Sequence, residues 1–310
     1  MTFDVDSIKF RLGEQEVSVQ DLCARNARDY SRLIGKSGFQ KVFRTSLPEG
    51  EFFSNFLRQE LYIQKNDCVI LVNQGISSVI PGKVPQLFQE IPNIESVFFV
   101  ELSDGCTGFV RALTMANSFL ISKSFLRVHI ICAEKYSAFF DESDNSVSPI
   151  FSDAISLTTL VLGTKYSILA SAIDNCFAKS NLISTQEDST GKLKLRMDGG
   201  PVLSWAIDIV PSNIKVLLEK SRLTMSDIDS WYFHQGSKVM LEMLAEKLDL
   251  DKSGLFSSES IGNTTSSSIP IALSKSFGSN KNTQSLGNNF ALVGFGVGLS
   301  VVSVILAANK

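Results

Sequence analysis

Three short, unbroken apolar runs set the terms for this chain: residues 68–73 (CVILVN), 96–102 (SVFFVEL) and 127–133 (RVHIICA). Runs of this length without polar alternation suit strands buried on both faces, and such strands belong to sheets covered by helices. Helical spacing fills the intervals. Apolar residues recur at helical intervals over 19–34, where Gly35 supplies a stop signal, and over 51–61, with Phe52, Phe53, Phe56 and Leu57 on one side. Residues 85–89 read as a short helix and 108–120 as a longer one. The alternation predicts an α/β fold.

The later part of the chain repeats this pattern more loosely. Residues 155–162 are β-like, while 135–148 and 175–191 read as polar, exposed loops. An amphipathic helix is expected over 202–220, kinked or broken at Pro211. A strand over 229–233 and helices over 238–248 and 269–277 follow. In each half an apolar strand runs into one chemically potent residue and then a helix: Cys106 after 96–102, His234 after 229–233. Strand ends in open α/β sheets face the crevice where ligands bind. Two such places suggest a duplicated fold with one shared site, divided into residues 1–164 and 165–310.

Composition narrows the functional classes. With 44% hydrophobic and 20% charged residues among 310, the chain can bury a sizeable core, which excludes disorder. Its 29 basic and 32 acidic residues leave a net charge of −3, giving no attraction to nucleic acid or an anionic membrane. Cys23, Cys68, Cys106, Cys132 and Cys176 are scattered and odd in number, without a C-x-x-C pair. That argues against a disulfide framework and against a thiolate metal site. Acidic Asp4 and Asp6 stand where a secretory leader needs positive charge, so the expected location is the cytosol. Residues 290–308 carry no charge and are long enough to span a bilayer, but Gly294, Gly296 and Gly298 interrupt them. A Gly-rich turn between two buried strands is the expectation there, and no membrane span.

Few residues can carry chemistry. Cys106, in Asp104-Gly105-Cys106-Thr107-Gly108-Phe109, lies between a strand and a helix, where the helix dipole is expected to lower its pKa. The other four cysteines read as buried small hydrophobes. His234 ends one strand and opens the turn His234-Gln235-Gly236-Ser237, where it can serve as base or donor. His129 lies in mid-strand between Val128 and Ile130 and reads as structural. Asn263, in Ile261-Gly262-Asn263-Thr264-Thr265, completes a Cys–His–Asn set with an uncharged amide. The loop Gly294-Phe295-Gly296-Val297-Gly298 lacks the third glycine of G-x-G-x-x-G, and only twelve residues follow it. A dinucleotide site is therefore excluded, leaving a backbone loop able to point N–H groups at an oxyanion. The order Cys, His, Asn also occurs in papain-like proteases, but their C-G-[SA]-C-[WY] pattern is absent.

Together the segments resemble β-ketoacyl-acyl-carrier-protein synthase III and its relatives in the thiolase superfamily. The resemblance rests on D-G-C-T-G-F (family A-C-S-G-F), H-Q-G-S (family H-Q-A-N), I-G-N-T-T-S-S-S-I-P (family Y-G-N-T-S-A-A-S-I-P) and the closing G-F-G-V-G-L. Met197-Asp198-Gly199 and Ser152-Asp153-Ala154-Ile155 fit two further family segments, while the first sixty residues match loosely. The resemblance implies a thiolase-like α/β fold of two similar halves in five layers (α-β-α-β-α), and a homodimer with its sheets joined across the two-fold axis. It implies that Cys106 takes an acyl group from a thioester and that His234 and Asn263 hold the carbonyl of a decarboxylating malonyl-type extender. The backbone N–H groups of Cys106 and Val297 would hold the tetrahedral oxyanion. Leu203, Ser237 and Phe295 are the candidate substrate-binding residues. CoA or phosphopantetheine thioesters would be substrates, with acyl-CoA or acyl carrier protein as partners and no permanent cofactor or metal.

Five positions depart from the family pattern. Ser237 stands in place of an asparagine, Val239 of a basic residue and Leu203 of a phenylalanine, while Ser152 replaces a glycine and Val297 a small residue. These suggest a specialised member. Two alternatives stand beside a condensing enzyme: an acyltransferase of the same fold acting on oxygen, nitrogen or an unusual carbon without decarboxylation, and a non-catalytic thiolase-like subunit.

Overall fold

The computed structural model describes residues 2–26, 29–75, 83–277 and 287–309. In chain order the elements are β1 (Thr2–Leu12), β2 (Gln15–Ser18), α1 (Val19–Arg25), α2 (Tyr30–Ser37), β3 (Lys41–Arg44), α3 (Glu49–Glu60), β4 (Cys68–Val72), α4 (Lys83–Phe88), β5 (Phe98–Leu102), α5 (Gly108–Ile121), β6 (Arg127–Glu134) and β7 (Ala154–Gly163). After them come β8 (Tyr166–Asn175), β9 (Ile183–Glu187), β10 (Leu193–Met197), α6 (Gly199–Ser221), β11 (Ser230–Phe233), α7 (Lys238–Lys247), α8 (Ser268–Phe277), β12 (Asn289–Gly296) and β13 (Ser300–Ala308).

Nine strands run in the order β11-β12-β13-β8-β1-β7-β6-β4-β5. Among the described residues a single bridge, Phe3 to Tyr166, pairs β1 with β8 and joins the two halves of this arrangement. Outward from it, β1 and β7 pair antiparallel, β7 and β6 antiparallel, and β6 and β4 parallel. On the other side, β8 and β13 pair antiparallel, β13 and β12 antiparallel, and β12 and β11 parallel. The senses repeat step for step. By this order the counterpart of β11 is β4, not β5, so Cys106 and His234 do not occupy equivalent positions. The helices just before β6 and β12 are α5 and α8, and it is Cys106 and Asn263 that precede them.

Burial sorts the helices into layers. Phe52, Phe53, Phe56 and Leu57 of α3 pack with α4 on Val69, Leu71, Ile131 and Leu157, the outer face of the first half. Val202, Trp205, Val210, Ile214 and Leu217 of α6, with Leu241 and Leu244 of α7, cover Ala291, Val293, Val301 and Ile305 on the outer face of the second. Between the sheets, α5 and α8 contribute Phe109, Val110, Leu113, Ile269 and Leu273 to a core shared with Ile70, Ile130, Leu292 and Val304. This is the expected α-β-α-β-α stack. Residues 290–308 form the buried antiparallel pair β12–β13, as their glycine content implied. Among the described residues α6 alone is long and apolar enough to cross a membrane. Here its buried Asn213 hydrogen-bonds Asp174 of β8 at 2.6 Å and accepts from Ser303 of β13.

Several expectations are corrected. The helix expected over 19–34 is two helices, and Gly35 lies inside α2 rather than stopping it. The run 96–102 shortens to β5 at the sheet's edge, with Phe98, Phe99 and Glu101 exposed; its apolarity is not the mark of a central strand. Pro211 sits within a continuous α6. Residues 135–148 are not simply a surface loop, because Tyr136, Phe140 and Val147 are buried in the second half's core. Residues 175–191 include a short 3₁₀ turn and β9, which forms a hairpin with β10.

Candidate active site

Cys106 lies in the turn between β5 and α5, and only 4% of its surface is exposed. Asp104 shapes that turn, accepting from Gly105 N–H at 3.0 Å and from Thr107 Oγ1 at 2.7 Å, and pairing with Arg111 at 2.5 Å. Gly296 (φ +144°) lets β12 approach the thiol: a Cβ there would stand 2.9 Å from the sulfur. Burial pushes the Cys106 thiol up to about 12, with Glu134 and Asp104 adding to it. The backbone N–H groups of Val297 and of Cys106 itself hydrogen-bond the sulfur and pull the other way. The lowered pKa expected from the helix terminus is therefore overturned, because removing the sulfur from water outweighs the dipole. The resting thiol is protonated.

His234 follows β11 and is buried, its ring perpendicular to Phe295 at 5.5 Å. Burial lowers its pKa to about 3, opposed by the Thr265 carbonyl, so the imidazole is neutral at pH 7. Its Nδ1 lies 2.8 Å from Ser268 Oγ, which in turn lies 2.9 Å from the Thr265 carbonyl. The unfolded chain protonates this histidine below about pH 6.5 and the folded chain only near 3. Its contribution to stability is present above pH 6.5 and is lost as pH falls toward 3. Urea midpoints measured from pH 7 to 4 should fall less steeply for His234→Gln than for the wild type.

Asn263 is pinned from three directions. Its N–H donates to the Ile150 carbonyl at 2.8 Å, its carbonyl accepts from Ser152 N–H at 2.8 Å, and its Oδ1 accepts from Thr265 N–H at 2.8 Å. The last bond fixes the amide's orientation and leaves Nδ2 as the free donor. It requires Thr265, a β-branched residue, to adopt φ +51°, a strained conformation of the kind found at functional sites.

Ser152, a departure from the family's glycine, has its own task here. Its hydroxyl donates to the Ile261 carbonyl at 2.6 Å and accepts from Phe43 N–H at 2.9 Å, bracing the Asn263 loop. Ser152→Ala strands both partners and should cost about 1–3 kcal/mol, measured by urea unfolding.

Cys106, His234, Asn263, Leu203, Ser237, Phe295 and Val297 all border one cavity of about 480 Å³. Ser237 is also the N-cap of α7, accepting from Met240 N–H at 3.2 Å. A second cavity of about 850 Å³ lies beyond Val297 and Ile183, which border both. His129 stands apart, between Asp67 and Thr159 at 3.0 Å each. Its carboxylate partner was not anticipated, but its structural role was. Among the described residues no group of three His, Cys, Asp or Glu is placed to hold a metal.

Sequence reasoning missed Glu134. Fully buried at the end of β6, it accepts from Ser266 Oγ at 3.3 Å, and burial raises its pKa well above the usual carboxylate range. The available signal was an acid directly following an apolar strand.

Two segments match families described as 3-oxoacyl-[acyl-carrier-protein (ACP)] synthase III, over residues 100–175, and its C-terminal part, over 218–308. The β-ketoacyl-[acyl-carrier-protein] synthase III 2 of Bacillus anthracis is 30% identical over 250 residues, 77% of this chain and 76% of that protein. The synthase III of Lactococcus lactis subsp. lactis is 28% identical over 251 residues, 77% of each. The crystal structure of 3-oxoacyl-(acyl carrier protein) synthase III from Pseudomonas aeruginosa superimposes with a TM-score of 0.87 at 23% identity, covering 100% of this chain and 99% of that one.

Proposed function

Because the chain belongs to the β-ketoacyl-[acyl-carrier-protein] synthase III family, we propose that Cys106, His234 and Asn263 are the groups with which it performs decarboxylative Claisen condensation. The observation that carries this assignment is that all three border one cavity, with the Val297 N–H on the sulfur.

In the first half-reaction the Cys106 sulfur attacks the donor thioester carbonyl, and the new oxyanion is held by the N–H groups of Cys106 and Val297. The C–S bond to the donor breaks. The proton lost by Cys106 passes through His234 to the departing thiol, so no net proton is consumed. The thiolate is the attacking species, so the protonated thiol must give up its hydrogen to a base.

In the second half-reaction the malonyl carboxylate leaves as carbon dioxide, and the electron pair flows into the thioester carbonyl. Asn263 Nδ2 and His234 Nε2 donate to the developing enolate. In this largely apolar cavity two neutral donors suit the work, while a carboxylate would repel the charge. The enolate carbon then attacks acyl-Cys106, and the thiolate leaves and takes up one proton. The Ser268 hydroxyl serves both stages. Turned toward the Thr265 carbonyl, it leaves the hydrogen on Nδ1 and a basic Nε2. Turned toward Nδ1, it leaves the hydrogen on Nε2 and a donor.

The substrates are CoA or phosphopantetheine thioesters, the enzyme holds no permanent cofactor, and it works in the cytosol as a homodimer. The dimer reading is supported by β5, whose outer edge is unpaired among the described residues and carries exposed Phe98 and Phe99. The departures at Leu203, Ser237, Val239 and Val297 support a specialised member. Incubating the purified chain with an acyl donor and a malonyl thioester tests the reading. Carbon dioxide and a β-ketoacyl thioester should form together. Acyl transfer without carbon dioxide release would favour the non-decarboxylating acyltransferase, and no reaction of the single chain would favour a subunit role.

A further inference from the structure

One short turn orients the Asn263 amide. Its Oδ1 accepts from Thr265 N–H at 2.8 Å, with Thr265 at φ +51°. A β-branched residue resists this left-handed conformation, so the turn needs holding from outside. Thr265 does not hold itself, because its buried Oγ1 has no hydrogen-bond partner among the described residues. The next two residues reach to the end of β6 instead. Ser266 Oγ lies 3.3 Å from Glu134 Oε1, and Ser267 Oγ donates to the Cys132 carbonyl at 3.1 Å. The family motif Y-G-N-T-S-A-A-S-I-P has serine where Thr265 stands and alanine where Ser266 and Ser267 stand. The branched residue and both clamps are thus departures particular to this chain.

Glu134 is suited to anchor the turn. Its Oε2 accepts from Gln74 N–H at 3.4 Å, just past the end of β4. That end is fixed independently: Asn73 N–H donates to the Leu102 carbonyl at 3.1 Å, and the Tyr136 hydroxyl donates to Gln74 Oε1 at 2.5 Å. The carboxyl therefore ties a strained turn to a firmly held sheet end, and its loss would release the turn. Burial raises the Glu134 pKa well above the carboxylate range, which favours the neutral acid and keeps negative charge away from a forming enolate. Glu134 does not line the cavity, so it reaches substrate only through other groups. Resting on the role given to Asn263 above, we propose that Glu134 is a positioning residue for decarboxylation: through Ser266 it holds the Thr265 turn, and with it the Asn263 amide, in the donating orientation.

The test follows carbon dioxide release from a malonyl carrier protein after butanoyl-CoA has acylated Cys106, with acylation read separately by intact mass. Glu134→Leu should lower kcat for carbon dioxide release by about tenfold, with KM within about twofold and acylation within about threefold of wild type. Glu134→Gln should bring release back to within about threefold of wild type, because an amide keeps both contacts without charge. Adding Thr265→Ser to Glu134→Leu should recover at least about threefold, since the strained position then carries no β-branch. In an Asn263→Ala background, Glu134→Leu should cost less than about twofold more, as expected of residues acting through one group. A further loss of about tenfold in that background, or equal losses in acylation and carbon dioxide release, makes Glu134 merely structural and overturns the proposal. Unchanged release by a folded Glu134→Leu overturns it too. Should that variant fail to fold, Ser266→Ala removes the same contact and should lower release by about fivefold, and full release from it overturns the proposal. A wild type that releases no carbon dioxide sinks the condensing reading itself, whereas a working wild type matched by its variants sinks this inference alone.

Discussion

Cys106→Ala is expected to abolish covalent acylation and to lower condensation by at least about 10⁴-fold, since among the described residues no other cysteine borders the cavity. The loss should not come from unfolding. Removing one buried sulfur costs on the order of 1 kcal/mol, which a urea titration would separate from the chemical defect. Intact mass spectrometry with an acyl donor gives the direct readout. An equal mass gain on wild type and variant would place the nucleophile elsewhere. Cys106→Ser offers a second measure, because its hydroxyl occupies the same site with far weaker nucleophilicity.

The second large effect belongs to Asn263. Asn263→Ala should lower decarboxylation by about 10²–10³-fold, the loss of one preorganised donor worth about 3–4 kcal/mol, while acylation of Cys106 changes by no more than severalfold. Asn263→Asp sharpens the test. It keeps an oxygen to accept from Thr265 N–H and so preserves the loop, but replaces the Nδ2 donor with negative charge. Carbon dioxide release should fall at least as far as in the alanine variant. Equal losses in both half-reactions would instead mean that Asn263 only holds the loop together.

Much of the candidate site was legible in the sequence because its residues interrupt strong local patterns. Cys106 and His234 each follow a run of strand-forming residues, and Asn263 sits in a polar stretch before an amphipathic helix. All three border the expected cavity. Features set by tertiary contacts were not legible. The apolarity of 96–102 reads as a central strand, and only the assembled sheet reveals that Phe98 and Phe99 lie on an edge. The pKa of Cys106 depended on how much water reaches the sulfur, which local sequence does not encode. Strands β1 and β8, which join the two halves, have mixed polarity because much of each is only partly buried, so no clean period marked them. Likewise Pro211 stays helical because packing against β8 and β13 holds α6 in place where local propensity would end it.

The Val297 N–H that meets the sulfur comes from the turn between β12 and β13, nearly two hundred positions downstream of Cys106. A ribosome therefore finishes the nucleophile long before it makes the hydrogen-bond donor that completes the nucleophile's surroundings. Completion of the site is thus late in synthesis, because a chain ending ahead of β12 contains Cys106 without the Gly296–Val297 turn that borders its cavity.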